Sequence, residues 1–491
     1  MRYVSSRNTA IYTDAPGAVL AGLAPDGGLF TVDSYPFFTL DEINCLTHKK
    51  YSEAAAFILS RFMEGYDNEE LSLFTEQAYS RFSHEDTAPI VYAGENTWSL
   101  ELFHGPTCAF KDFALQMLPR LLVSAAKKKG AAGETVILVA TSGDTGKAAL
   151  EGFKDVEGTK IGVFYPDGGV SQVQRLQMTT QEGGNVNVFA VKGNFDDAQS
   201  GVKAIFNDKE LAARLAENGK ALSSANSINW GRLAPQIAYY FWAYSRLLKQ
   251  GAIKLGDKVD FCVPTGNFGN ILAGYLAKKS GLPIERLVCA SNKNDVLTDF
   301  FESGVYDRNR PLYQTGSPSM DILVSSNLER LIFMLCGEEK TRELMGKLSA
   351  DGRYEIGKEI LAKLKDEGFV AFRADDKAAA EEINARWNSD EKYLCDPHTA
   401  VAMKAARMAG TAERPMIVAS TASPFKFASV MLEALTGEKA DGGVELLEKL
   451  EKLTGHKAPA QLASLGEKQE RFNKVIEKED MSAEAERWIN K

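Results

Sequence analysis

At 491 residues the chain is long enough for about two to four compact units. Its 44% hydrophobic and 25% charged residues are those of an ordinary globular protein. A formal net charge of -9 excludes a general nucleic-acid or anionic-membrane surface, while leaving room for a local positive pocket. No run is apolar over a length that spans a bilayer, and the opening MRYVSSRNTAIYTDAPG lacks the core of a signal peptide, so the expected location is the cytoplasm. Six cysteines (45, 108, 262, 289, 336 and 395) form no CxxC pair and read as reduced thiols. Five histidines (48, 84, 104, 398 and 456) lack metal-ligand spacing, so no metal is expected.

Residues 1–95 read as a largely helical opening domain. Thr39 and Glu42 have the spacing of a capping box, and Ser52 is placed to cap the helix AAAFILSRFM. In LFHGPTCAFKDFALQMLPR (102–120), a Gly105–Pro106 turn leads to Lys111 at the start of an apolar-periodic run. Flanked by Phe110 and Phe113, this lysine is poorly placed for solvent, and desolvation favours the neutral, nucleophilic amine. One reading is a Schiff base with pyridoxal phosphate; the other is an ordinary first-turn lysine. Cys108 beside it has apolar neighbours and reads as packing rather than as a nucleophile.

From about residue 97, strand-like runs alternate with helix-like ones. The strands are TVILVATSG (135–143), KIGVFYP (160–166), NVFAVKG (187–193), KVDFCVPTGN (258–267), LVCASN (287–292) and MIVAS (416–420). Helical stretches include 146–153, 235–248 and 270–279. Continuous apolar strands separated by helices imply parallel sheets covered on both faces, here in two α/β lobes. Residues 301–322 are rich in turn formers and read as a long loop, and after about residue 430 the chain reads as charged helices packed on another domain.

Ligands collect at the carboxyl ends of parallel strands, and three such junctions stand out. Pro264–Asn270 (PTGNFGN) has glycines that admit a close ligand and a helix start whose free N–H groups suit a phosphate, or else glycines needed only for backbone shape. Thr141–Gly146 (TSGDTG) offers hydroxyls and N–H groups for a carboxylate, or simple N-capping by Ser142, Asp144 or Thr145. Ser420–Pro424 (STASP) is by itself a turn. In NSINWGR, Ser227 and Asn229 surround the guanidinium of Arg232, either as an anion pocket or as a helix entry with an exposed arginine.

GLAPDGGLF, LFHGPTCAFKDFA, ATSGDTG, NSINWGR, PTGNFGN, DPHTAVA and STASPFKF together resemble, in order and across nearly the whole chain, the threonine synthase family of the longer bacterial and fungal type. The resemblance implies a fold-type II pyridoxal phosphate enzyme, tryptophan synthase β-like, with two parallel-sheet α/β lobes. The expected units are an N-terminal domain 1–95, a large cofactor-binding domain 96–134 with 225–430, a small domain 135–224 and a helical C-terminal segment 431–491. It implies conversion of O-phospho-L-homoserine and water to L-threonine and phosphate; the alternative is a phospho-lyase giving α-ketobutyrate, ammonia and phosphate. It further implies a monomer or weak homodimer with a small-molecule substrate.

Position by position, Lys111 resembles the Schiff-base lysine, and Gly266, Asn267, Phe268, Gly269 and Asn270 resemble the loop that holds the cofactor phosphate. Thr421 resembles the hydroxyl partner of the pyridine nitrogen. Thr141, Ser142, Asp144 and Thr145 would face the substrate carboxylate, and Ser227, Asn229 and Arg232 the substrate phosphate. Two positions depart from many relatives: Lys147, read as a solvent-facing residue or an extra cation near substrate, and Ser423, where histidine is common, which receives no acid–base role.

Overall fold

The computed structural model of the chain describes every residue except Ala132 and Ser142. Its larger sheet has six strands in the order Phe369–Arg373, Ile284–Ser291, Val259–Pro264, Met416–Ser420, Thr97–Glu101 and Ile90–Tyr92. Neighbours are parallel except at the edge, where Thr97–Glu101 and Ile90–Tyr92 run antiparallel. Val259–Pro264 and Met416–Ser420 are buried along their whole length, as strands covered on both faces are. A second sheet, wholly parallel, follows the order Val475–Ile476, Val186–Val191, Thr159–Pro166, Glu134–Ala140 and Lys220–Ser223.

The α/β class, the parallel sheets and the helical C-terminal segment are as the sequence implies. Residues after 430 form helices such as Glu445–Thr454 and Met481–Ile489, and they also contribute the short strand Val475–Ile476 to the second sheet. Two residues are too few to show a period, which is why the strand escapes a pattern reading. The opening segment likewise holds an antiparallel sheet of Tyr12–Thr13, Tyr3–Ser5 and Phe30–Val32 beside its helices. The Thr39–Glu42 capping box is present. The next helix, Tyr51–Phe62, starts one residue before Ser52; the Lys50 N–H donates to the Glu53 carboxylate at 2.8 Å. Within 301–322 the structure has a strand, Val305–Asp307, paired with Arg353–Glu355, and a 3-10 turn, Pro318–Met320.

Helix Trp230–Lys249 joins the opening segment to the large sheet, packing on helices Tyr51–Phe62 and Gly269–Lys279. It begins five residues before Pro235, because Asn229 caps it: the Asn229 side chain accepts from Gly231 N–H at 2.8 Å. Trp242, 1% exposed, donates to Ala88 O at 2.8 Å and meets the Tyr51 ring edge-on at 5.4 Å. Arg246 lies 3.8 Å above the Trp242 ring and donates to the Leu46 and Thr47 carbonyls, which fastens the helix to the turn at 46–48. Trp242→Ala removes this wedge and is expected to cost about 3–5 kcal/mol, read as a lower urea midpoint for loss of near-UV circular dichroism.

Candidate active site

A cavity of about 80 Å³ opens where the strands of the large sheet end, lined by residues from seven separate stretches of the chain. Lys111 stands at its wall, at the cap position of the short helix Asp112–Leu115. The Lys111 ammonium lies 4.9 Å from the Phe110 ring centre and donates to Ser319 Oγ at 3.1 Å. Burial pushes its amine below the ordinary lysine range, and Lys426 and Arg232 push the same way, while Asp144, with Oδ2 at 3.6 Å, opposes them.

Opposite is the turn between Val259–Pro264 and helix Gly269–Lys279. Phe268 takes a left-handed conformation (φ 63°) to start that helix, and a Cβ on Gly266 would meet Ser319 O at 2.5 Å. The loop therefore lies flat against the 318–320 turn and presents backbone N–H groups, as an anion cradle requires. The Phe268 ring itself turns into the core beside Phe301 and Phe369, so only its backbone is left for a ligand. Asn270 Oδ1 is held by the Tyr239 and Tyr240 hydroxyls at 2.7 and 2.8 Å, and its buried Nδ2 has no partner among the described residues.

Arg232 brings a buried cation to the same cavity. It is 5% exposed, no carboxylate among the described residues pairs with it, and its Nε has no partner. Burial pushes its guanidinium down to about 10. A buried cation and an orphaned amide donor are costly unless acceptors arrive. Pyridoxal phosphate and a phosphorylated substrate bring such acceptors, so the residues fit both groups.

Thr145, Ser227 and Thr421 also line the cavity, with Gly266, Asn267, Phe268, Gly269 and Asn270. Three expected ligands are placed otherwise. Asn229 spends its side chain capping its helix and donating to Val19 O at 2.9 Å. Thr141 Oγ1 accepts from the Gly143 and Gly146 amides, both at 3.0 Å, and shapes its loop from within. Asp144 faces cations: Oδ1 is 2.7 Å from Lys426 Nζ, and although burial raises its carboxyl, Lys426 and Lys111 hold it well below the usual range. An ionised carboxylate cannot bind another. Ser142 lies outside the described residues.

Lys147 is mostly buried, its ammonium 3.1 Å from Glu151, and it does not line the cavity. Ser423 is buried, its N–H donating to Cys108 O at 3.0 Å. Burial pushes the Cys108 thiol up to about 12, which suits packing.

Sequence reasoning missed Gln236, Ser319 and His398, which also line the cavity. His398 is 2% exposed; its Nδ1 is 2.7 Å from Asp396 Oδ1 and its Nε2 accepts the Ser319 N–H at 3.2 Å. The carboxylate on one nitrogen and the amide donor on the other define the Nδ1–H tautomer. The DPH order, in which Asp396 caps helix Pro397–Ala409, carries this pair in the sequence. Ser319 offers no such signal, because only the fold brings its turn to Lys111.

Residues 92–420 match the family described as pyridoxal-phosphate dependent enzyme, residues 2–79 the threonine synthase N terminus and residues 399–485 the threonine synthase C-terminal region. A threonine synthase of Pseudomonas aeruginosa is 40% identical over 96% of this chain and 95% of its own length. The chain belongs to the threonine synthase family. It is a pyridoxal-phosphate-dependent enzyme, a lyase. A Homo sapiens protein named threonine synthase-like 1 is 41% identical over 85% of this chain, which spans 57% of that longer protein. The solved pyridoxal phosphate-bound threonine synthase of Brucella melitensis superposes with a TM-score of 0.88 at 40% identity, covering 100% of this chain and 98% of that one.

The Asp396–His398–Ser319 arrangement is open to a direct test. His398→Leu leaves the Ser319 amide without its acceptor and is expected to weaken pyridoxal phosphate binding about tenfold. His398→Gln, which keeps an acceptor oxygen, is expected to retain most of the affinity by equilibrium dialysis.

Proposed function

We propose that the protein converts O-phospho-L-homoserine and water to L-threonine and phosphate. The observation that carries this reading is the pairing of two anion sites in one cavity with one desolvated amine. The glycine turn at 266–270 suits the cofactor phosphate, and Arg232, a buried guanidinium without a carboxylate, suits the phosphate of the substrate. A substrate lacking phosphate would leave Arg232 buried and unpaired.

In this reading Lys111 Nζ holds the cofactor, with the backbone of Gly266, Asn267, Phe268 and Gly269 and the Asn270 amide at its phosphate and the Thr421 hydroxyl at its ring nitrogen. When bound, the cofactor supplies an electron sink for carbanions next to the substrate nitrogen. The Thr421 hydroxyl, neutral unlike a carboxylate, would not favour protonation of that nitrogen. Lys111 Nζ, as a neutral amine, would take the proton from Cα and then one from Cβ. The Cγ–O bond breaks with its electrons leaving on phosphate, which Ser227 and Arg232 receive. One of the two protons would go to Cγ and the other back to Cα, while the hydroxyl of water bonds Cβ and its remaining proton goes to the released phosphate, so that the atoms of substrate and water are all found in threonine and phosphate. N–H groups at the start of helix Asp144–Phe153, with the Thr145 hydroxyl, would take the substrate carboxylate.

The chain is proposed to act as a monomer or weak homodimer. Six free cysteines suit the cytoplasm. No helix among the described residues is long and apolar enough to cross a membrane.

Incubation with O-phosphohomoserine is expected to release threonine and phosphate in equal amounts; α-ketobutyrate as the dominant product would favour the phospho-lyase instead. Lys111→Ala is expected to be colourless as purified and inactive. Arg232→Leu is expected to raise KM by about tenfold or more, with pyridoxal phosphate still bound by its visible absorbance.

A further inference from the structure

Lys426 has no part in the chemistry above, yet it is among the most deeply buried cations of the molecule. It lies in the 3-10 turn Pro424–Phe427, is 1% exposed, and donates to Thr107 O at 3.0 Å. Its charge faces Asp144 Oδ1 at 2.7 Å, which also accepts from Gln174 Nε2 at 3.0 Å. Asp144 Oδ2 looks the other way, 3.6 Å from Lys111 Nζ and 3.5 Å from Ser319 Oγ. One carboxylate thus stands between two ammonium groups, bonded closely to the one that does no chemistry and loosely to the one that does.

We propose that Lys426 is a positioning residue: it holds Asp144 as its own counter-ion and thereby keeps Lys111 available as a neutral amine. A buried carboxylate left alone beside an amine stabilises the ammonium, which has no lone pair for attack or for taking a proton. With Lys426 in place the pull of the carboxylate on the Lys111 proton is opposed by a cation. The groups facing Lys111 are Asp144, Lys426, Arg232, the Ser319 hydroxyl and the Phe110 ring, with His398 behind Ser319. Of these Asp144 alone is an anion in contact with the amine; burial and the two other cations act against protonation.

The arrangement also accounts for the placement of Asp144 in a loop expected to receive an anion. Its side chain spans from the start of helix Asp144–Phe153 to the turn that follows the strand Met416–Ser420, so the ion pair ties the two sheets together beside the lysine. Lys426 sets where Asp144 points, and Asp144 sets how much charge Lys111 meets.

This inference rests on Lys111 being the lysine that takes the cofactor, and the test separates the two. The full-length protein is freed of pyridoxal phosphate, and the rate at which it recaptures the cofactor is followed by absorbance across pH. Only the neutral amine reacts: its lone pair attacks the aldehyde carbon, a carbon–nitrogen bond replaces the carbonyl, and the oxygen leaves as water.

Lys426→Met is expected to move the midpoint of the pH profile up by about one unit, making capture near neutrality about tenfold slower. Asp144→Asn, nearly isosteric, is expected to move it down. Lys426→Arg, which keeps the charge, is expected to restore the wild-type midpoint. An unchanged midpoint in Lys426→Met, or shifts of the same sign in Lys426→Met and Asp144→Asn, overturns the proposal. Should Lys426→Met not fold, an unchanged or raised midpoint in Asp144→Asn overturns it alone. Capture that survives in Lys111→Ala would instead remove the cofactor role of Lys111, whatever the other variants do.

Discussion

Taking charge out of water is the constraint on which this structure depends. Asp144, Arg232, Asp396 and Lys426 are buried around one small cavity, with Lys111 nearly so, and each must find compensation there. Asp144 has Lys426, and Asp396 has the His398 ring, the His398 amide and the Thr399 hydroxyl. Arg232 is left with carbonyl oxygen alone, donating to Ala225 O, and Asn270 keeps an amide donor free. The two buried side-chain atoms without a partner among the described residues that line the cavity, Arg232 Nε and Asn270 Nδ2, are both donors. The cavity thus offers hydrogen-bond donors in excess, as a site for anionic groups does.

Holding that imbalance open takes a rigid surround, and residues 318–330 provide much of it. Ser319 bonds Lys111 and is held by His398, while Ser325 Oγ donates to Gly266 O at 2.7 Å. Asn327 Nδ2 donates to the Asn267 and Ser227 carbonyls at 2.9 and 3.2 Å, bracing the 266–270 turn and the segment before helix Trp230–Lys249 at once. Behind it lies Arg330, fully buried, with its guanidinium pushed down to about 9 by desolvation. Arg330 donates to Phe30 O at 2.9 Å, to Ile228 O and to Asn327 Oδ1. One side chain therefore links the opening segment to both braced stretches, which gives that segment a mechanical stake in the geometry of a site it does not line.

What could be read in the sequence follows from the range of the interactions involved. The inner strands, such as Val259–Pro264 and Met416–Ser420, were legible because burial on both faces demands a continuous apolar run. The glycine turn at 266–270 and Lys111 were legible because each sits where a strand or helix changes direction. Asn229 and Thr141 misled because a polar residue at a helix start serves capping and ligand binding equally well, and only contacts distinguish them. Ser319, His398 and Lys426 become neighbours of Lys111 only through tertiary packing. Nothing within a few residues of Ser319 says that it will face a lysine far back in the chain.

The strand Val475–Ile476 has a consequence for how the molecule comes to be. It closes the edge of a sheet whose other strands all lie between Glu134 and Ser223, pairing with Val186–Val191. Until that late segment is made and returns, Val186–Val191 presents a row of unpaired backbone groups, the kind of template on which a second nascent chain can pair. The edge is covered last, through contacts of high sequence separation, which form slowly. The helix that follows, Met481–Ile489, sets Trp488 against Phe189 and buries Ile489 at the same edge, so the return is secured by apolar packing rather than by two ladder bonds alone. Assembly of this lobe is therefore a clasp fastened from the far end of the chain.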